Sequence, residues 1–106
     1  MKLFGLLAGM LLSFAVMASE VVWIDVRTPA EFGSGHVDGA INIPHTRIAK
    51  DIAALELAKD SEILLYCRSG RRASFALEQL QQQGYSRVVN VGGYDDAQNY
   101  QQAQKP

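Results

Sequence analysis

The stretch EILLYCRSGRRASFALEQLQQQGYSRVVNV, Glu62 to Val91, decides the fold. Its first five residues, Glu62 to Tyr66, form a short apolar run that ends abruptly in polar residues, as a buried strand does. From Ala73 to Gln83 the period changes. Ala73, Ala76, Leu77 and Leu80 share one stripe while Gln79, Gln81, Gln82 and Gln83 are left to water, and Gly84 supplies a left-handed stop. Arg87 to Val91 then returns to β-branched apolar character. A strand, a helix beginning near Arg72 or Ala73, and a second strand make a parallel unit joined by a crossover.

The same alternation extends outward in both directions. VVWID (Val21 to Asp25) and AINI (Ala40 to Ile43) are two further apolar runs, giving four buried strands. Thr28-Pro29-Ala30-Glu31 has a cap residue, proline at the first helical position and glutamate three residues after the cap, so a short helix starts there. Thr46 to about Leu57 carries Ile48, Ile52 and Leu55 on one side, as an amphipathic helix would. After Gly92-Gly93 the chain reads YDDAQNYQQAQKP, predicted as a short helix fading into a polar tail from about residue 97. Strands alternating with helices predict an α/β fold: a small layered domain with a mainly parallel sheet flanked by helices.

A length of 106 residues with 48% hydrophobic and 20% charged residues suits one globular domain. A formal net charge of −1 gives no sign of a nucleic-acid partner, and the arginines near Cys67 stand out as a local feature. Residues 1–18, with Lys2 before an apolar stretch from Leu3 to about Val16 and small residues at Val16 and Ala18, read as a secretory signal peptide. Cleavage before Ser19 leaves a single domain over 19–106 with nine basic against eleven acidic residues and no stable membrane association. The mature domain is expected to be a monomer.

For an exported chain, one cysteine without a disulfide partner is informative. A buried inert thiol is one reading of Cys67. Its place is another, because binding sites of parallel sheets form beyond the carboxyl ends of strands, where a turn feeds the next helix. Backbone N–H groups curling toward the sulfur, a helix N-terminus, and the charges of Arg68, Arg71 and Arg72 all favour an anion there, and so the thiolate form. The same cradle suits a persulfide or an anionic sulfur donor such as thiosulfate.

Three segments in this order, IDVRTPAEFGSGHVDGAINIP, LLYCRSGRRAS and VVNVGGYDD, covering nearly all of residues 21 to 96, resemble the rhodanese domain family. The resemblance implies a sulfurtransferase in which Cys67 is the persulfide-forming nucleophile and Arg68, Ser69, Gly70, Arg71 and Arg72 bind the substrate. It implies a small anionic sulfur donor, a thiol or cyanide acceptor, and no cofactor. With the signal peptide, it places the protein in the periplasm. A persulfide carrier or binding module of the same fold, without thiosulfate turnover, is the alternative.

Related phosphatases carry cysteine, five residues and then arginine, and tend to place histidine before the cysteine. Here those positions are Ala73 and Tyr66, which makes phosphate transfer the weaker reading. A thiol–disulfide redox protein would want a second, resolving cysteine. Asp25 and Arg27, at the end of the first strand, either line the pocket or are structural, with Arg27 and Glu31 spaced for an i,i+4 ion pair. His36 is expected to satisfy loop backbone groups. His36, His45 and Cys67 lack ligand spacing, so no metal is assigned. Gly92 and Gly93 suit close backbone passage beside the active loop, and Tyr94 and Tyr100 are the aromatics available on that side.

Overall fold

The computed structural model describes residues 21–106; the expected signal peptide lies outside them. The chain runs β1 (Val21–Asp25), α1 (Pro29–Gly33), β2 (Ile41–Asn42), α2 (Ile48–Asp51), a 3-10 turn (Ile52–Leu55), β3 (Glu62–Cys67), α3 (Arg71–Gln82), β4 (Arg87–Gly93) and α4 (Tyr94–Ala103). All four strands are parallel, in the order β2-β1-β3-β4. Parallel neighbours need crossovers, so every strand ends on the same edge of the sheet and the loops after β1, β3 and β4 gather there. Among the described residues no helix is long and apolar enough to cross a membrane.

Side chains of successive strand residues point to opposite faces, and both faces of this sheet are covered. Ile24, Ile63, Leu65 and Cys67 pack with Ile48, Ile52, Ala73, Ala76 and Leu80 on the α2 and α3 side. Trp23, Leu64 and Tyr66 pack with Val37, Ala97, Tyr94 and Tyr100 on the α4 side. The nucleophile candidate and its neighbour Tyr66 therefore face opposite layers. The central strands are buried over most of their length, from Trp23 in β1 and from Ile63 in β3. β2 and β4 are edges, with Ile41 and Val89 exposed, which corrects the expectation of four buried strands.

Three further boundaries differ from the sequence reading, each for a packing reason. AINI yields only the two strand residues Ile41–Asn42, because the Asn42 amide turns to the carbonyls of Asp25 and Arg27, at 3.0 Å each, and closes off the edge. The helix expected from Thr46 to Leu57 is α-helical only over Ile48–Asp51. Leu55 and Leu57 both pack on the core, and residues two apart on a helix cannot face the same way. The chain therefore leaves the helix at Glu56, in the left-handed region at φ 52°. The polar tail expected from about 97 is instead helix to Ala103. Tyr94, Ala97 and Tyr100 form its core-facing stripe, with Ala97 fully buried and Tyr100 edge-on to Trp23 at 5.8 Å, and the intervening glutamines hide the period.

Tyr66 links the two layers of loops. Its side chain is fully buried and its hydroxyl accepts the Val37 N–H at 3.0 Å. Burial pushes the phenol well above its ordinary range, so it stays neutral. Tyr66→Phe is expected to leave the Val37 N–H without a partner and to lower unfolding stability by about 1–3 kcal/mol, measurable by urea denaturation with an unchanged slope.

Candidate active site

Between the end of β3 at Cys67 and the start of α3 at Arg71 only three residues turn the chain. Gly70 makes this feasible, with φ +94° and its N–H donating to Cys67 Sγ at 2.9 Å. That is the one hydrogen bond to Sγ among the described residues, fewer than the several inward amides expected. Cys67 is 1% exposed, whereas Arg68, Ser69 and Arg71 on the same loop are exposed. The sulfur lies against the uncapped N-terminus of the twelve-residue α3, where dipole and amides favour negative charge.

β4 supports this loop from beside it. Its register skips a residue, Leu65 pairing with Asn90 and Tyr66 with Gly92, so Val91 is bulged and the strand end turns beneath the loop. The Asn90 amide donates to the Gly70 carbonyl and accepts the Gly92 N–H, both at 2.9 Å. A Cβ on Gly70 would stand 3.5 Å from Gly92 Cα, and one on Gly93 would collide with the Arg68 carbonyl oxygen. Gly92 and Gly93 thus provide the close passage expected of them. Asp96 accepts the Gly93 N–H at 2.8 Å and holds the start of α4.

The three loop arginines diverge. Arg72 turns away from solvent and makes a bidentate pair with Glu31, 2.8 and 3.0 Å, tying α3 to the cap of α1. Glu31 also closes the capping box, accepting from Thr28 N–H at 2.9 Å. Arg72, with help from Thr28, holds the Glu31 carboxyl down to about 2, and Glu31 in turn raises Arg72. The expected Arg27–Glu31 pair is therefore not made. Arg68 and Arg71 form no ion pair among the described residues.

Arg27 pairs with Asp25 instead. Asp25 is fully buried and accepts from the Arg27 backbone N–H at 2.9 Å, from Nε at 2.9 and 3.1 Å, and from Nη2 at 2.7 Å. Nη2 also donates to the Gly35 carbonyl at 2.7 Å. The guanidinium lies 4.7 Å from the Tyr94 ring centre and 5.4 Å from that of Tyr66. Asp25 raises the Arg27 guanidinium, which stays charged. The pair is structural and also reaches the surface: a cleft of about 570 Å³ beside the loop is lined by Arg27, Arg68, Gly93, Tyr94, Glu31 and Asp95, among others. Tyr94 thus forms one wall of that cleft, while Tyr100, on the same helix, is half-buried against Trp23. His36 hydrogen-bonds the Phe32 carbonyl through Nδ1 at 2.9 Å and stacks on the Phe32 ring, at the end of α1.

Sequence reasoning missed Asn90, Asp96 and the true partner of Glu31. An asparagine within the β-branched run RVVNV, just before two glycines, was the available signal for the first. Nothing local signals the Glu31–Arg72 pair, whose members are 41 residues apart.

Comparison with known proteins agrees with this geometry. The Rhodanese-like domain model matches residues 12–100. The chain is 42% identical over 93 residues to the thiosulfate sulfurtransferase PspE of Escherichia coli K12, covering 87% of this chain and 88% of that protein. It is 42% identical over 74 residues to a sulfurtransferase of Allochromatium vinosum, covering 70% and 67%. Among solved structures, a rhodanese with anions from E. coli superposes with a TM-score of 0.69 at 40% identity, over 73% of this chain and 91% of that one. With its parallel sheet, its cysteine loop at the strand ends and a match over most of its length, this chain belongs to the rhodanese-like domain family.

Proposed function

We propose that the protein is a thiosulfate sulfurtransferase, exported to the periplasm by residues 1–18, that carries sulfur as a Cys67 persulfide. The observation that carries this reading is the Cys67 sulfur held by the Gly70 N–H at the α3 N-terminus, on a loop whose Arg68 and Arg71 form no ion pair among the described residues. An anionic nucleophile and an anionic substrate must meet here, and only a positive field makes that approach favourable.

In the first half-reaction the Cys67 thiolate attacks the outer sulfur of thiosulfate. An Sγ–S bond forms, the S–S bond of thiosulfate breaks, and sulfite leaves with the electron pair. Arg68 and Arg71 offset the charge on the departing sulfite. Arg27, fixed by Asp25, adds a charge at the wall of the cleft. Arg72 acts differently: its pair with Glu31 fixes the start of α3. Ser69 and Gly70 complete the cradle. In the second half-reaction cyanide or a thiolate attacks the outer sulfur, now about 2 Å from Sγ, and Cys67 returns as thiolate. No cofactor is required.

Incubation of the exported protein with thiosulfate is expected to add about 32 mass units, one sulfur atom, to a chain starting at Ser19. Cys67→Ser is expected to gain nothing and to form no thiocyanate from cyanide. Intact mass checks both, and sulfur transfer by the serine variant overturns the mechanism.

Arg68→Ala is expected to lower kcat/KM for thiosulfate about tenfold, equivalent to ~1.4 kcal/mol, with the fold intact. Added salt weakens the parent enzyme more than the variant, because screening removes what the substitution has already removed. Steady-state kinetics at low and high salt read both effects.

The Glu31–Arg72 pair gives a pH signature. A carboxyl held at about 2 in the folded state, against an ordinary 4.5, binds its proton more weakly folded than unfolded. Its stabilisation is complete above pH 4.5 and disappears as pH falls toward 2. The stability gap between parent and Glu31→Gln is therefore expected to be constant above that window and to narrow through it, as followed by urea denaturation at stepped pH.

A further inference from the structure

Gly70 carries bonds that point in two directions. Its N–H donates to Cys67 Sγ at 2.9 Å, while its carbonyl, at the start of α3, accepts from the Ser74 N–H at 3.0 Å and from Asn90 Nδ2 at 2.9 Å. Among the described residues Asn90 is the only side chain besides Cys67 itself that bonds the backbone of Arg68 to Gly70. A glycine takes either sign of φ with ease, so the +94° of Gly70 is set by what holds its two peptide groups. The Ser74 N–H moves with the helix. Asn90 does not: its Oδ1 takes the Gly92 N–H at 2.9 Å, which ties the amide to its own strand beside the loop. A side-chain amide offers one donor and one acceptor in a single plane. A carboxylate in its place still accepts from Gly92 but meets the Gly70 carbonyl with a second acceptor.

From this arrangement we infer that Asn90 is a positioning residue for sulfur transfer: it does not touch the sulfur, but it aims the Gly70 N–H at it. The inference rests on the sulfur-transfer reading above and names a residue that serves both half-reactions. When Sγ attacks the outer sulfur of thiosulfate, the Gly70 N–H engages one lone pair and so fixes the direction of the others. When the acceptor attacks the persulfide, the bond to Sγ breaks and its electron pair returns to Sγ, where the same N–H meets the charge. Approach of the donor belongs to the exposed Arg68 and Arg71, whose side chains make no hydrogen bond to Asn90. Loss of Asn90 therefore slows the steps at the sulfur and leaves the approach of thiosulfate as it was.

Two variants separate the arms of the amide. Asn90→Ala removes both bonds; Asn90→Asp keeps an acceptor for the Gly92 N–H, loses the donor to Gly70, and serves alone if the alanine variant does not fold. In single-turnover loading over a range of thiosulfate concentrations, followed by intact mass, both are expected to lower the limiting rate about tenfold, less than removal of a whole donor costs, with half-saturating thiosulfate unchanged. Discharge of the purified persulfide to saturating cyanide is expected to slow by about the same factor. Leu77→Ala, which removes partly buried packing from the middle of α3, is expected to lower stability and to leave both rates as in the parent. Hydrogen exchange by NMR, which needs no sulfur chemistry, is expected to find the Gly70 amide about tenfold less protected in both Asn90 variants. An unchanged Gly70 amide overturns the inference, as does a Leu77→Ala loss of rate as large as that of the Asn90 variants. A change in half-saturation alone overturns it by assigning Asn90 to donor binding, and parent rates in Asn90→Asp overturn it by leaving the Gly92 bond as the one that matters. Failure of the parent to load sulfur overturns the sulfur-transfer reading itself, and the place of Asn90 in it, whatever the Gly70 amide does.

Discussion

One side-chain amide carries the geometry of the cysteine loop. Asn90 reaches from β4 to the Gly70 carbonyl with its NH2 and takes the Gly92 N–H with its oxygen. Gly70 is the residue whose own N–H meets the sulfur. The strand cannot run straight past this point, because the register slips by one residue between Leu65 and Tyr66, and the amide oxygen takes the Gly92 N–H at the slip while its NH2 ties the loop down. Two glycines are then forced for different reasons: nothing larger than hydrogen fits on Gly93 against the Arg68 carbonyl, and Gly70 holds a left-handed φ of +94°. Loop, bulge and glycine pair are one construction.

The positive charge around Cys67 is divided among different tasks. Arg27 and Arg72 lie inside carboxylate pairs that fix the loop after β1 and the start of α3. Their charge is partly neutralised locally, but their geometry is rigid. Arg68 and Arg71 are exposed and, among the described residues, form no ion pair, one lining the cleft and the other a groove by Phe75. Exposed arginines interact weakly with any one partner in high dielectric, which suits transient substrates that must also leave. The rigid pair members set where the sulfur stands, and the exposed members set which ions approach it.

Burial of the nucleophile fits this division. Cys67 belongs to the apolar layer under α3. What meets the sulfur is local and oriented: the Gly70 N–H at the start of α3. The strand alternation that sends Cys67 into this layer sends Tyr66 into the other, where its hydroxyl holds Val37 and its ring lies 5.4 Å from the Arg27 guanidinium. Neighbouring residues thus serve both faces of the sheet.

The sequence by itself determined the parallel α/β architecture, the placement of Cys67 at a strand end before a helix, the α1 capping box, the left-handed Gly84 and the close passage of Gly92 and Gly93. These rest on periodicity and on residues whose local chemistry permits few conformations, and they involve neighbours a few positions apart. Only the tertiary structure decided which carboxylate holds which arginine. Arg27 and Glu31 have helical spacing, yet Asp25 takes Arg27 through a backbone and side-chain fork, and Arg72 arrives from 41 residues away to take Glu31. It likewise decided that the helix after Thr46 breaks early, because Leu55 and Leu57 must both reach the core, and that the glutamine-rich end forms a helix, because Trp23 and Leu64 offer a face for Tyr94, Ala97 and Tyr100. In each case the deciding partner is brought close by the folding of the sheet, and no pattern within the segment itself encodes it.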